Sequence, residues 1–269
     1  MRVHVIQVSY GDDEAVADRI DRVAQLVRDQ RGADLVVLPE LWSHGGYSYP
    51  TWVERAEPID GPTMRAIAAA ARELGAVVHA GSIIERAPEG AARGPQGRGL
   101  WNTSVLLGPA GERLAVYRKI HRFGFGSGEP ALLEAGDEVV TAKVDIGDES
   151  ATLGFATCYD VRFPELFRRL ADDGARLVLL PAAWPAARTE HWTTLGRARA
   201  IEDQVVVVQA NTAGTHAGVP MAGHSQVVDA TGRVLAEAGT YEQVLVADVD
   251  LAAVEAWRER FPVLADRRL

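Results

Sequence analysis

Short apolar runs and helical patterns alternate along the first part of the chain. Residues 3–8 and 34–38 read as strands, and the second run is wholly apolar from 35 to 38, as in a strand buried on both faces. Between them, apolar positions recur every three or four residues, which is the spacing of one helix face. A strand, a helix and a second strand in this order predict parallel strands joined by a right-handed crossover.

The same alternation continues to the end of the chain. Further strands are predicted at 76–84, 100–107, 113–117, 139–144, 151–156, 176–181, 204–209, 221–228 and 243–249, and further helices at 62–74, 164–171, 191–203 and 251–260. Residues 120–136 show little periodicity and contain four glycines, and loops of this length are often functional. Since no linker or short repeat interrupts the pattern, it predicts one layered α/β domain over residues 1–269.

Composition and charge narrow the class of protein. The chain is 47% hydrophobic and 24% charged, which is typical of ordered globular proteins. Its net charge of −9 argues against nucleic acid or an anionic membrane as a partner, because both favour a basic surface. No apolar run reaches membrane-spanning length, and the first residues read as a strand rather than a signal peptide. With a single cysteine and therefore no internal disulfide, a cytoplasmic location is expected.

Three chemically distinct side chains follow predicted strands. Cys158, the only cysteine, lies where strand 151–156 gives way to a helix, and the amino end of a helix lowers a thiol pKa. Glu40 and Lys119 also come after strands, and lysine is scarce here, with only two among 28 basic residues. Taken alone, Cys158 is better explained as a packing residue and Lys119 as a surface residue, and Glu40 is explained equally well as a solvated carboxylate. Together, a carboxylate, an ammonium and a thiol are the groups needed for covalent acyl transfer.

The segments around these residues resemble a known family. Leu-Pro-Glu at 38–40, Tyr-Arg-Lys-Ile-His at 117–121 and Cys-Tyr-Asp-Val-Arg-Phe-Pro-Glu-Leu at 158–166 are similar to the three signature segments of the nitrilase, or carbon–nitrogen hydrolase, superfamily. Segments 180–184, 197–202 and 222–225 extend the resemblance over essentially the whole chain. It implies a four-layer αββα sandwich, a homodimer whose two sheets pack across the subunit interface, and a catalytic triad of Glu40, Lys119 and Cys158.

The resemblance also implies a mechanism without metal or cofactor. Glu40 acts as the base for Cys158. Lys119 and the backbone N–H of Tyr159 hold the oxyanion. Ammonia then departs, and a thioester remains on Cys158. The family often has a second glutamate before the cysteine. Glu129 matches best by its spacing to the following Gly-Asp, with Glu134 as the alternative, and its role is to position the lysine or the substrate. His121, next to the lysine, is interpreted as a structural histidine.

The substrate class follows from the cysteine segment. Cys-Tyr-Asp-x-Arg-Phe-Pro-Glu is more similar to omega-amidases and deaminated-glutathione amidases than to true nitrilases, which usually have a Cys-Trp-Glu segment. Those amidases act on small amides that carry a carboxylate. Arg162 can bind a carboxylate, although a structural ion pair is the favoured interpretation of this residue. Tyr159, Trp184 and Tyr47 are further candidates for the substrate pocket, although packing explains such aromatic residues equally well.

Several alternatives stay open at this stage. N-carbamoyl compounds and nitriles are alternative small-molecule substrates. Outside catalysis, the chain can be an inactive binding or scaffold dimer, which the complete triad disfavours. A thiol redox sensor is a third interpretation, and it lacks a resolving cysteine within the chain.

Overall fold

The computed structural model describes residues 1–268, which contain fifteen strands and seven α-helices. The strands are β1 (Arg2–Gln7), β2 (Ser9–Tyr10), β3 (Leu35–Val37), β4 (Val77–Arg86), β5 (Leu100–Leu107), β6 (Arg113–Arg118), β7 (Thr141–Ile146), β8 (Glu149–Phe155), β9 (Leu177–Ala182), β10 (Val206–Asn211), β11 (Ala213–His216), β12 (Val219–Pro220), β13 (Gln226–Val228), β14 (Val234–Glu237) and β15 (Gln243–Asp248). The helices are α1 (Val16–Arg28), α2 (Tyr49–Arg55), α3 (Pro62–Leu74), α4 (Glu129–Leu132), α5 (Pro164–Asp172), α6 (Thr189–Asp203) and α7 (Leu251–Arg260). Within residues 1–268, none of these helices combines the length and the apolar character needed to cross a membrane.

Two six-stranded mixed sheets form the centre of the molecule. The first has the order β15-β1-β3-β4-β5-β6, and the second has the order β14-β13-β10-β9-β8-β7. In the first sheet β1, β3 and β4 are parallel, whereas β5 and β6 continue as an antiparallel hairpin. In the second sheet β8, β9 and β10 are parallel. The parallel strands of each sheet are joined through helices, as the strand–helix alternation predicts.

The two sheets pack face to face inside one chain. Val5 and Leu35 of the first sheet share a buried apolar cluster with Phe155 and Leu179 of the second. Neighbouring side chains along each strand point outward, because side chains alternate across a strand, and they pack against α1 and α3 on one side and α5 and α6 on the other. The predicted four-layer αββα order is therefore present. The expectation that two sheets pack across a subunit interface is wrong for this pair, which belongs to a single chain.

The sequence pattern predicted the long elements better than the short ones. Helix α3 ends as predicted at Gly75, which adopts a left-handed φ of +74°. The strand predicted at 221–228 is shorter than expected, because positive φ at Gly223 and His224 interrupts the extended backbone before β13. The short strands β2, β11, β12 and β14 were not predicted, since two to four residues give no readable alternation.

A buried carboxylate at the end of α6 couples stability to pH. The Asp203 side chain is only 1% exposed, and burial raises its pKa to about 7 although Arg168 lies 3.2 Å away. In the unfolded chain the same carboxyl group ionises near pH ~4. Since the folded state keeps its proton longer, the free energy of unfolding falls as pH rises from about 4 to about 7.

Asp203→Asn removes this dependence. We expect the variant to be more stable than the parent at pH 8 by roughly 2 kcal/mol, because the amide has no charge to desolvate, and nearly equal to it at pH 4. Urea unfolding at both pH values measures the difference. Asp173→Asn, an exposed change at the end of α5, is the control and should leave both curves unchanged. Equal stabilisation of Asp203→Asn at both pH values would contradict the coupling.

Candidate active site

Side chains from both sheets meet in one cleft. Glu40 follows β3 and Lys119 follows β6 of the first sheet, while Cys158 follows β8 of the second. These strands are not neighbours, since β4 and β5 separate β3 from β6. All three residues nevertheless line a cleft of about 380 Å³. Strands β3 and β6 run in the same direction, and they end on the side where β8 ends in the facing sheet. Convergence therefore comes from the sandwich rather than from adjacent strands.

A buried lysine joins two carboxylates at the bottom of this cleft. The Nζ of Lys119 donates to Oε1 of Glu40 at 2.8 Å and to Oε1 of Glu129 at 3.0 Å. The amide nitrogen of Asn102 donates to the same two oxygens, at 2.8 Å each. All four side chains are almost fully buried. The two carboxylates therefore share two donors and are held close together, away from water.

The position of Glu40 depends on contact between the two sheets. Its Oε2 accepts the backbone N–H of Ala183 at 2.8 Å, just past β9 of the second sheet. The turn at Pro39 and Glu40 also packs closely against the backbone of Gly81 on β4. A Cβ at Gly81, where φ is +70°, would lie 1.9 Å from the carbonyl oxygen of Pro39. Glycine at position 81 is therefore required for the turn that presents Glu40.

Cys158 begins a short 3₁₀ helix that spans Cys158–Arg162, and it has a left-handed φ of +50°. Asp160 holds this turn, because its carboxylate accepts the backbone N–H of Thr157 at 2.8 Å. The same carboxylate accepts the hydroxyl of Tyr117 at 2.7 Å and the backbone N–H of His121 at 3.0 Å, and it lies 2.7 Å from Nδ1 of that histidine. Asp160 thus ties the cysteine turn to the segment that contains Lys119. The prediction of a structural role for His121 agrees with these contacts.

Burial dominates the ionisation of the thiol. Burial and the nearby Glu40 raise the pKa of Cys158 well above its usual value, and Lys119 only partly opposes them. The expectation of a lowered thiol pKa at a helix end is therefore wrong, since desolvation disfavours the thiolate more than one turn of helix favours it. In the free protein Cys158 is a neutral thiol with a carboxylate beside it.

Glu129 and Glu40 keep Lys119 charged. Burial alone would lower the pKa of Lys119, but Glu129 and Glu40 outweigh it and raise the pKa well above the usual value. Burial raises the pKa of Glu129, against the opposing effect of Lys119. The site therefore offers a fixed positive charge and carboxylates able to accept a proton. Within residues 1–268, no cluster of three or more His, Cys, Asp or Glu side chains is arranged to hold a metal ion.

The residues predicted to contact substrate all line the cleft: Tyr47, Tyr159, Arg162 and Trp184. The structural ion pair favoured for Arg162 is not found, since no carboxylate of residues 1–268 lies within ion-pair distance of it. Its Nη2 instead lies 3.2 Å from Nδ1 of His191, and its guanidinium lies 4.7 Å from the ring centroid of Trp184. Of the two glutamates weighed for the second position, Glu129 reaches the cleft, whereas Glu134 accepts backbone N–H groups of Gln96 and Arg98 in the surface loop.

Sequence reasoning missed several residues of the cleft region, among them Asn102, Phe123 and Arg188. Asn102 lies inside a fully buried strand, where no alternation marks the residue that faces the cleft. Phe123 lies in the unpatterned segment 120–136, and Arg188 lies just beyond the recognised segment 180–184. The scarcity of buried polar residues in strand sequences was the only available signal for Asn102.

Comparison with known proteins places the chain in a family. The carbon–nitrogen hydrolase family model matches residues 2–259. The chain belongs to this family. This carbon–nitrogen hydrolase is therefore an enzyme of a family that hydrolyses C–N bonds, in agreement with the resemblance of the three signature segments.

Several relatives that match this carbon–nitrogen hydrolase over most of their length are named as amidases. It is 45% identical over 266 residues to a 2-oxoglutaramate amidase of Paenarthrobacter nicotinovorans, covering 99% of this chain and 89% of the relative. The crystal structure of a CN-hydrolase superfamily protein from Xanthomonas campestris, with an arsenic adduct in its active site, superposes with a TM-score of 0.87 at 32% identity, covering 100% and 97% of the two chains. An amidase mutant from Nesterenkonia, with an acetamide group added covalently at its active-site cysteine, gives a TM-score of 0.81 at 28% identity and covers 100% and 94%.

Asn102→Ala tests whether the shared amide positions the two carboxylates of this carbon–nitrogen hydrolase. Loss of a hydrogen bond to a charged group costs about 1.5–3 kcal/mol, so we expect amide hydrolysis to fall roughly 10- to 100-fold. The amide also lowers the pKa of Glu129, so its removal should shift the acid limb of the pH–rate profile to higher pH. Rates from pH 5 to pH 9 measure both effects. A uniform fall at every pH would instead indicate general disruption of β5.

Proposed function

We propose that this enzyme is an omega-amidase that hydrolyses the terminal amide of a small carboxylate-bearing substrate, of the 2-oxoglutaramate type. The observation that carries the proposal is the pairing, in one cleft, of the Glu40–Lys119–Cys158 cluster with a guanidinium at Arg162 that has no carboxylate partner among residues 1–268. The first group suits attack on an amide carbonyl, and the second suits a substrate carboxylate. The similarity to a 2-oxoglutaramate amidase over 99% of the chain supports this substrate class.

The proposed first half of the reaction forms a thioester. Glu40 accepts the thiol proton of Cys158 as the sulfur attacks the amide carbon, which solves the problem of a thiol that is neutral at rest. The oxyanion of the tetrahedral intermediate is held by Lys119 and by the backbone N–H of Tyr159, at the first turn of the 3₁₀ helix. Protonated Glu40 then returns the proton to the nitrogen, the C–N bond breaks, and ammonia leaves.

The proposed second half releases the acid. Glu40, again a carboxylate, removes a proton from water as the water attacks the thioester carbon. The C–S bond then breaks, and the proton held by Glu40 returns to the sulfur of Cys158. The sum is amide plus water giving carboxylic acid plus ammonia. Glu129 keeps Lys119 in place throughout, since it accepts from Nζ without facing the sulfur as Glu40 does.

A substrate panel tests the proposal. Ammonia release is measured for 2-oxo ω-amides, N-carbamoyl amino acids, simple nitriles and a neutral amide such as butyramide, each with Cys158→Ala alongside. Release from the 2-oxo ω-amides that disappears in the variant supports the proposal. Preference for N-carbamoyl amino acids or nitriles would overturn the substrate class and leave the cysteine mechanism in place. Stoichiometric alkylation of Cys158 by iodoacetamide without any turnover would favour an inactive binding or redox protein.

We also propose that the enzyme acts as a cytoplasmic homodimer of single-domain chains spanning residues 1–269. The family resemblance supports the dimer, and a reducing compartment suits an enzyme that depends on one free thiol. Sedimentation equilibrium at micromolar concentration tests the assembly. A monomer that retains full activity would overturn the dimer as the active form.

A further inference from the structure

The cleft contains two arginines that lack an internal counter-charge. Arg162 and Arg188 both line it with Cys158, and neither lies within ion-pair distance of a carboxylate in the part of the chain that the structure describes. Some other partly buried arginines are paired with a carboxylate, for example Arg118 with Glu85 and Arg22 with Glu14, and Arg55 and Arg258 instead donate to backbone carbonyls. Two like charges held in one cleft repel each other, and the positive charge of Arg188 adds to burial in lowering the pKa of Arg162. Such an arrangement is stabilised when an anion binds.

Aromatic rings hold both guanidinium groups while leaving their N–H donors available. The guanidinium of Arg162 lies 4.7 Å from the ring centroid of Trp184, and that of Arg188 lies 5.4 Å from the ring centroid of Phe123. The indole N–H of Trp184 also donates to the backbone carbonyl of Arg188 at 2.7 Å, which fixes the turn that carries this arginine. Stacking uses the flat face of a guanidinium and leaves its rim of donors for a ligand.

We propose that Arg188 is the specificity residue that selects 2-oxo acid amides over 2-amino acid amides. The inference rests on the proposed function: Arg162 binds the substrate carboxylate, and Arg188 donates to the oxygen on the neighbouring C2 carbon. A 2-oxo group accepts such a hydrogen bond. A 2-ammonium group, as in glutamine or asparagine, instead places a third positive charge beside two guanidiniums in a partly desolvated cleft, where like charges repel strongly.

The substitution Arg188→Gln tests this selectivity. The ratio of kcat/KM for 2-oxoglutaramate to that for glutamine should fall about 30-fold or more, since a hydrogen bond between charged and polar groups is lost and a repulsion is relieved together. Most of the change should appear in KM, because Arg188 contacts the far end of the substrate and not the reacting carbon. Arg169→Gln, an exposed change on α5 outside the cleft, is the matched control and should leave the ratio unchanged.

Two kinetic outcomes would overturn the inference. An equal fall for 2-oxoglutaramate, glutamine and butyramide would make Arg188 a structural residue, and an unchanged ratio would remove it from the C2 site. A binding arm separates this from failure of the proposed function. If the parent enzyme hydrolyses no 2-oxo ω-amide, calorimetry with Cys158→Ala should still find 2-oxoglutarate bound more tightly than glutamate, and adding Arg188→Gln should abolish the difference. Equal affinity of the two ligands in Cys158→Ala would overturn the role of Arg188.

Discussion

Cys158→Ala is expected to lower kcat/KM for amide hydrolysis by about 10,000-fold or more, the range seen when a covalent nucleophile is removed. No other thiol exists in the chain to replace it. The fold should persist, because the turn around residue 158 is held by the carboxylate of Asp160 and not by the sulfur. Ammonia release measures the activity, and near-ultraviolet circular dichroism with a melting curve measures the fold.

Cys158→Ser is the companion variant. It keeps the size and position of the nucleophile, but the hydroxyl is a far weaker acid than a thiol, so Glu40 cannot deprotonate it efficiently. We expect activity near that of the alanine variant and a melting temperature near that of the parent. Retention of more than a tenth of the activity in either variant would eliminate the thioester mechanism. Loss of the native circular dichroism would show instead that the thiol is needed for packing.

Lys119→Met is expected to affect both stability and turnover. The lysine is 2% exposed and neutralises two carboxylates that are 3–4% exposed. Removing one partner of a buried ion pair costs about 3–5 kcal/mol, because the remaining charges are left without compensation. Turnover should fall about 1,000-fold, as when an oxyanion donor is removed. Lys119 lowers the pKa of Glu129, so this pKa rises without the lysine, and the loss of stability should grow as pH rises and shrink in acid.

Two matched variants separate the effects. Lys119→Met with Glu129→Gln removes one negative charge together with the positive one, and it should recover much of the stability without the activity. Lys143→Met changes the only other lysine, which is exposed on β7, and should alter neither property. Urea unfolding at pH 6 and pH 8 provides the stability readout. A Lys119→Met enzyme as stable as the parent at pH 8 would contradict the role of Lys119 in compensating the buried negative charge.

The sequence singled out the residues of the proposed catalytic cluster because they follow strand ends within recognisable segments. Glu40, Lys119 and Cys158 each stand where an apolar run stops, and such positions are readable without knowledge of the partner strand. The layer order was also predictable, since it follows from strand–helix alternation and the family resemblance together.

What could not be predicted depends on long-range packing. Asn102 lies opposite Ile84 in a β4–β5 ladder whose register shifts between His79 and Ser82, and no local pattern encodes that shift. The direction of the thiol pKa was also misjudged, because it depends on how completely the cysteine is buried among residues distant in sequence. The absence of an ion pair at Arg162 within residues 1–268 could not be predicted for the same reason, because it depends on residues distant in sequence. A guanidinium can be recognised in a sequence, but its neighbours cannot.

The site is divided between two sheets, and the two sheets come largely from different halves of the chain. Residues 1–136 contain Glu40, Lys119 and Glu129, and the part from residue 137 onward contains Cys158, so neither part alone holds all of the proposed reacting groups. The later piece also returns β15 to the edge of the first sheet, beside β1. If the polypeptide were cleaved in the exposed stretch near residue 137, the pairing of β15 with β1 would help to hold the two fragments together. Ammonia production would then measure the reassociation of the two fragments, since activity requires both.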